Sequence, residues 1–183
     1  MKTADILEEL RPTLKHACNL GLLDFLASYK TRRKVTIGGQ QYLSFVGAND
    51  RDTMLLPLGK RGVPHERIRC PDEMREFYSA FDGLRERKPP SSGYFVPCAQ
   101  AVAVGDKLDA EDFPGFRKYV DCPIVFFATN GDQMIQTADG KFAWCVVSEN
   151  KVRKLAPSFP NLLDGYVAYR RVGDGRPFDS YGR

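Results

Sequence analysis

Apolar residues recur at steps of three and four through residues 4–28, with Ile6, Leu7, Leu10, Leu14 and Ala17 followed by Leu22, Leu23, Phe25 and Leu26. That spacing predicts helix with one buried face. Thr3 stands as a cap, and Asp5, Glu8 and Glu9 lie near the positive helix end. Pro12 and Gly21 interrupt the pattern and predict two short helices or a kinked one. The pattern then changes to β type: 34–37 and 40–46 flank Gly38-Gly39 and read as a hairpin. Residues 47–70 keep no steady period and read as loop, with room for one helical turn. A second helix runs from Pro71 to Gly83, with Met74, Phe77, Tyr78 and Phe81 at i, i+3, i+4 and i+7.

Residues 88–93 then read as an extended loop, with strand-like stretches at 94–97 and 101–104. Residues 109–121 read as a loop or a helix broken at Pro114-Gly115. The strongest β signal follows, in three runs at 123–128, 133–137 and 141–147. Turns at Asn130-Gly131 and Asp139-Gly140 separate them, so three consecutive antiparallel strands are expected. A last helix from Ser158 to about Arg171 carries Phe159, Leu162, Leu163, Tyr166 and Val167 on one face. The order predicts an α+β fold, an antiparallel sheet with a C-terminal three-stranded meander and helices packed against it. One domain over 1–172 is expected, its first 69 residues an elaborated helical and hairpin region, with 173–183 a flexible tail.

Composition narrows the class. With 183 residues, 43% hydrophobic and 27% charged, the chain is long enough for a core and unlike a disordered one. No apolar run approaches a membrane span of ~18–20 residues. The opening nine residues lack a signal peptide's apolar block, so a soluble cytoplasmic protein with no membrane partner is expected. The five cysteines are odd in number, widely spaced and without a Cys-x-x-Cys pair, which argues against a disulfide framework or a zinc knuckle. Cys122 and Cys145 read as small core residues.

The formal net charge is +4, and its excess lies in the first half. Lys30, Arg32, Arg33 and Lys34 form one cluster, and Lys60, Arg61, Arg67 and Arg69 a second. Such clusters can grip phosphate, although most charge runs are solvated faces.

Reactive groups are few. His16 and Cys18 are two apart, so on a helix they point roughly 200° apart and cannot share a proton. His65 sits in a basic loop near Glu66 and Cys70 with nothing to orient it. A His-Glu-x-x-His pair and a Gly-x-Ser-x-Gly elbow are both absent. Gly59-Lys-Arg-Gly62 lacks the preceding strand and following Lys-Ser/Thr of a phosphate loop. Asp132 and Asp139 suit turns, and Asp106, Asp109, Glu111 and Asp112 suit a solvated loop. No catalytic residue, cofactor or metal is therefore expected.

Three stretches together resemble a known family. Cys70-Pro-Asp-Glu-Met-Arg-Glu-Phe-Tyr-Ser-Ala-Phe-Asp-Gly-Leu84 is similar to the proline-led helix ending in Asn/Asp-Gly of the SMI1/KNR4 (SUKH) superfamily. Ile124-Val-Phe-Phe-Ala-Thr-Asn-Gly-Asp-Gln-Met-Ile-Gln-Thr-Ala-Asp-Gly-Lys-Phe142 resembles its meander with a Gly-Asp turn, and Ala156-Pro-Ser-Phe-Pro-Asn-Leu-Leu163 its closing helix. The resemblance spans roughly 68–170 and implies a scaffold that binds proteins without catalysis. Bacterial members are commonly immunity proteins that neutralise a toxin; eukaryotic members include regulators of cell-wall synthesis. Phe77, Tyr78, Phe81, Asp82, Gly83, Phe126, Gly131, Asp132, Trp144, Phe159 and Leu162 would then be scaffold residues. The long N-terminal half and the positive charge depart from the family pattern.

The resemblance makes a protein partner, a cognate toxin, the first expectation. Tyr94, Phe95, Phe113, Phe116 and Tyr119 would be its exposed anchors, unless they pack in the core. The alternative is a regulatory or nucleic-acid-associated module using Lys30, Arg32, Arg33, Lys34, Arg61, Arg67 and Arg69, with steeply salt-dependent binding. A small hydrolase or transferase would need His65 to meet a cysteine or acid in a pocket.

Overall fold

Proline decides where the first helical segment breaks. In the computed structural model, which describes residues 3–47, 53–59, 68–88 and 91–171, α1 (Thr3–Leu10) runs into a 3-10 turn over Arg11–Thr13 that contains Pro12. After two more residues and the His16 N-cap, α2 (Ala17–Ala27) begins. Gly21 lies inside α2 and interrupts nothing.

The expected hairpin is present as β1 (Thr31–Ile37) and β2 (Gln40–Val46), with Ile37 opposite Gln40. Gly38 and Gly39 both take positive φ, 57° and 80°, as a two-residue turn matched to strand twist requires. Within 47–70, read as loop, the structure has a strand, β3 (Thr53–Pro57), paired antiparallel with β2. Residues 60–67, with Lys60, Arg61, His65 and Arg67, lie outside the described residues.

The second helix is α3 (Asp72–Phe81), and its stripe of Met74, Phe77, Tyr78 and Phe81 is buried. Two strands follow, β4 (Arg85–Lys88) and β5 (Ser91–Phe95), where a loop and a later strand start were expected. Residues 101–104 form no strand: Ala103 makes a single bridge to Pro123 and a 3-10 turn covers Val104–Asp106. Another 3-10 turn, Pro114–Tyr119, occupies the expected broken helix. Then come β6 (Ile124–Ala128), β7 (Gln133–Gln136) and β8 (Phe142–Val146), and a further strand, β9 (Lys151–Ala156), that the sequence pattern did not reveal. The chain closes with α4 (Phe159–Arg171), and the expected tail at 173–183 lies outside the described residues.

Among the described residues all nine strands form one antiparallel sheet in the order β1 to β9. Helices pack on one face. Phe77 is the hub there, its ring centroid 4.9 Å from Phe95, 5.3 Å from Phe159 and 5.6 Å from Phe81. Leu22, Leu23 and Leu26 of α2, with Leu162 and Leu163 of α4, fill the space against Leu43, Phe45, Met54 and Leu56. Gly93 lets β5 approach β6: a Cβ there would sit 2.4 Å from the Phe126 ring and 2.5 Å from the Phe127 carbonyl. The opposite face of β6–β8 is also covered. Val104 and Phe116 of the 96–122 segment bury Ile124, Ile135, Ala143 and Cys145 beneath them.

A charged strand inside such a sheet needs a compensating partner. Glu86 of β4 points to the helices and accepts a hydrogen bond from the Tyr166 hydroxyl at 2.8 Å. Arg170 of α4 stands 3.4 Å from the same carboxylate, with the side chains 0% and 4% exposed. The pair fixes α4 over β4. Among the described residues no helix is long and apolar enough to cross a membrane.

Candidate interaction surface

Strand alternation sorts the side chains of β1–β5 onto two faces. Leu43, Phe45, Met54, Leu56 and Phe95 turn toward the helices. Their neighbours turn away, and the register lines Arg33, Ser44, Leu55, Arg85, Tyr94 and Phe127 into one row across six strands. The Arg85 guanidinium lies over two rings of this outer face, 5.6 Å from the Tyr42 centroid and 5.4 Å from the Tyr94 centroid. Tyr94 in turn leans on Phe127 at 5.8 Å. Ile37, at the β1 end of the face, is the one large apolar side chain left strongly exposed among the described residues, at 47%.

The face is electrically one-sided. β1, β2, β3 and β5 contain no acid, and the one acid of β4, Glu86, points to the other side. Arg33, Arg85 and Arg87 are exposed. Register places all three on the outer face, since Arg87 lies two residues beyond Arg85.

The five anchor candidates divide. Phe95 is corrected to a core residue, 1% exposed, because alternation turns it inward beside Tyr94 and against Phe77, Phe126 and Tyr166. Phe116 is likewise corrected, buried at the centre of the second cluster. Tyr94, Phe113 and Tyr119 are half-buried and fringe that same cluster on the sheet side away from the helices. Phe113 stacks on Phe116 at 5.9 Å and 15°.

The basic candidates divide as well. Lys30, Arg33 and Lys34 are exposed. Arg32 is half-buried and donates from Nε to the Tyr29 carbonyl at 2.9 Å and from its guanidinium to the Ala27 carbonyl. It caps the negative end of α2. Alternation puts Arg33 on the outer face while Arg32 and Lys34, opposite Phe45 and Leu43, face the helix side. Arg69 lies beside Gly140 in the β7–β8 turn, six strand positions from β1.

Among the described residues, several groups able to do covalent chemistry are engaged elsewhere. Glu76 of α3 accepts from the backbone N–H of Lys15 at 2.9 Å and of His16 at 3.1 Å, and from the Asn19 amide at 3.0 Å. The His16 ring is 3.0 Å away through Nδ1. Burial pushes the Glu76 pKa up. The bonds from Asn19, the two backbone N–H groups and the His16 ring outweigh that and leave it below the ordinary value. The arrangement is a helix cap supplied by a neighbouring helix. Burial pushes the Cys70 thiol up to about 11 and Cys145 to about 12, and raises Cys18 and Cys122, so these stay protonated at neutral pH. Among the described residues no group of three His, Cys, Asp or Glu side chains is set to hold a metal. His65 lies outside them.

A cleft of about 540 Å³ opens where the starts of α3 and α4 meet the β7–β8 turn, lined by Arg69, Cys70, Glu73, Gln136, Asp139 and Ser158. Two of its polar side chains serve the fold. Gln136 donates to the Arg69 carbonyl at 2.6 Å, and Asp139 accepts from Lys141 and from Thr137, each at 2.6 Å. Those bonds, Lys141 first, hold the Asp139 carboxyl well below the usual range. Asp106 and Asp109 bond the backbone N–H of Ala103 and Glu111 at 2.7 and 2.8 Å, as loop residues do.

Comparison with known protein families, curated proteins and solved structures finds no match to this chain. Sequence reasoning missed Tyr42, Arg85, Arg87 and Phe127. The signal was an Arg-x-Arg alternation after Leu84, which has meaning only once 85–88 is known to be a strand.

Proposed function

We propose that this protein is a non-catalytic protein-binding module of the SMI1/KNR4 type, acting in the cytoplasm as an immunity protein that occludes a toxin. The observation carrying the proposal is the contrast between the two kinds of surface. Gln136 and Asp139 of the cleft, and Asp106 and Asp109 of the acidic loop, are engaged in internal hydrogen bonds. The outer face of β1–β5 carries an arginine–aromatic row and, among the described residues, no helix. A continuous face of that kind suits a broad partner better than a small substrate.

The family resemblance supports the same reading. Its three segments pack as one unit, Phe77 of α3 and Phe142 of β8 lying 5.3 and 6.0 Å from Phe159 of α4. Phe77, Tyr78, Phe81, Phe126, Phe159 and Leu162 are buried, as scaffold residues would be. The mechanism is steric: a preformed surface covering ~1,200–2,000 Å² in total blocks the toxin's access to its substrate.

Affinity capture from native lysate, in nuclease-treated and untreated arms, tests this. The proposal expects one protein retained in both arms and a stable complex when the two are purified and remixed. Nucleic acid recovered only from the untreated arm, with no protein, would favour the module built on the basic first half.

A further inference from the structure

We infer that the outer face of β1–β5 docks an acidic surface of the partner protein, seating a carboxylate on the Arg85 guanidinium. The inference rests on the protein-binding reading above and names the face and the chemistry of what it binds.

The charge pattern sets the sign of the partner. Arg33, Arg85 and Arg87 make no ion pair among the described residues, and the strands around them supply no acid on that side. Some other exposed cations do have an acid beside them, as in Arg11–Asp24, Lys141–Asp139 and Arg153–Glu149. A row of cations unpaired among the described residues, on strands that turn no acid outward, is complementary to carboxylates.

Ring geometry decides between protein and nucleic acid. Single-stranded nucleic acid is held by stacking bases on open aromatic faces. Here the rings are already used: Arg85 covers Tyr42 and Tyr94, Tyr94 leans on Phe127, and Tyr42 is only 5% exposed. Stacking on two rings orders the long arginine side chain beforehand. A planar guanidinium so held can take a carboxylate through two parallel hydrogen bonds. Half-buried Val35, Leu55 and Pro57 and exposed Ile37 add the apolar area that such a contact covers.

The test measures binding of the full-length chain to two labelled probes of equal net charge, an Asp/Glu-rich peptide and an oligodeoxythymidylate, by fluorescence anisotropy. Arg85→Ala is expected to weaken the peptide about tenfold, and Arg85→Lys severalfold, since lysine keeps the charge but loses the fork. Arg33→Ala with Arg87→Ala is expected to weaken it severalfold. Lys30→Ala with Lys34→Ala removes the same charge away from the face and is expected to change it less than twofold. Unchanged thermal melting of each exposed-site variant confirms that folding is not what is measured.

Equal losses in the two double variants would overturn the inference, because the probe would then follow only the overall field. Tighter binding of the oligonucleotide, lost in Arg85→Ala, would overturn it in favour of nucleic acid. The two proposals can fail separately. A captured partner that binds Arg85→Ala as tightly as the natural chain sinks the docking face and leaves the protein-binding function. The Arg85 pattern with no protein captured does the reverse.

Discussion

Replacing Glu76 by alanine removes the carboxylate that ties α3 to the start of α2. Four donors converge on it: two backbone N–H groups, the Asn19 amide and the His16 ring. A helix cap contributes about 1 kcal/mol, and hydrogen bonds to a charged group about 1.5–3 kcal/mol each before water replaces them. The Lys15 N–H is exposed and rehydrates, while the Asn19 amide keeps its 2.8 Å bond to the Glu73 carbonyl. The net loss is then about 2–3 kcal/mol. For a chain of this size each kcal/mol moves the midpoint by about 2–4 °C, so Tm falls by about 4–12 °C.

The pH dependence carries a sign. Because the folded pKa lies below the ordinary 4.5, the carboxylate's contribution is complete above that value and is lost as pH falls through the folded pKa. Thermal melts of the natural chain and Glu76→Ala at pH 7, 5, 4 and 3 should show a wide gap that narrows only in the last two. A gap under about 1 kcal/mol at pH 7, or one that widens toward pH 3, would refute the capping argument.

Other perturbations probe the sheet and the core. Gly93→Ala places a methyl 2.4 Å from the Phe126 ring and 2.5 Å from a backbone carbonyl, and should cost about 2–3 kcal/mol in a urea titration with unchanged slope. Glu86→Gln removes the carboxylate that faces the buried Arg170 charge and should cost about 3–5 kcal/mol, whereas Glu86→Leu with Arg170→Met should recover most of it in a double-mutant cycle. Native-state thiol labelling at pH 8 should modify Cys70 alone, since the other four cysteines are buried. With its pKa pushed to about 11, Cys70 should react roughly a hundredfold slower than free cysteine, and Cys70→Ser should abolish that phase.

What the sequence revealed follows from how local each signal is. The stripe of Met74, Phe77, Tyr78 and Phe81 lies within two helical turns, and Gly38-Gly39 sets its hairpin within two residues. Both were legible. β4 reads Arg-Glu-Arg-Lys, with no hydrophobic alternation to find. Its inward residue is an acid, tolerated because Tyr166 and Arg170 reach it from the far end of the chain. β9 is an edge strand with exposed Lys151, Arg153 and Lys154, a composition that discourages edge pairing and hides the strand from propensity. β3 is five residues long and owes its place to the ladder with β2.

The candidate surface was harder to read for the same reason. Which of Tyr94 and Phe95 faces outward is a question of register, and the register comes from pairing Arg85 with Tyr94. The cluster at 30–34 looked like one basic patch along the chain. A strand sends alternate residues to opposite faces, and one of the four, Arg32, is held by carbonyls at the end of α2.

Stoichiometry of inhibition tests the central claim most directly. The captured partner's activity is titrated with increasing amounts of this protein at concentrations well above the Kd. An occluding binder gives a linear fall to an end point at one copy per partner, with both chains recovered intact. Loss of activity at far below one equivalent, or a covalently altered partner, would show that the protein works by turnover and contradict the account.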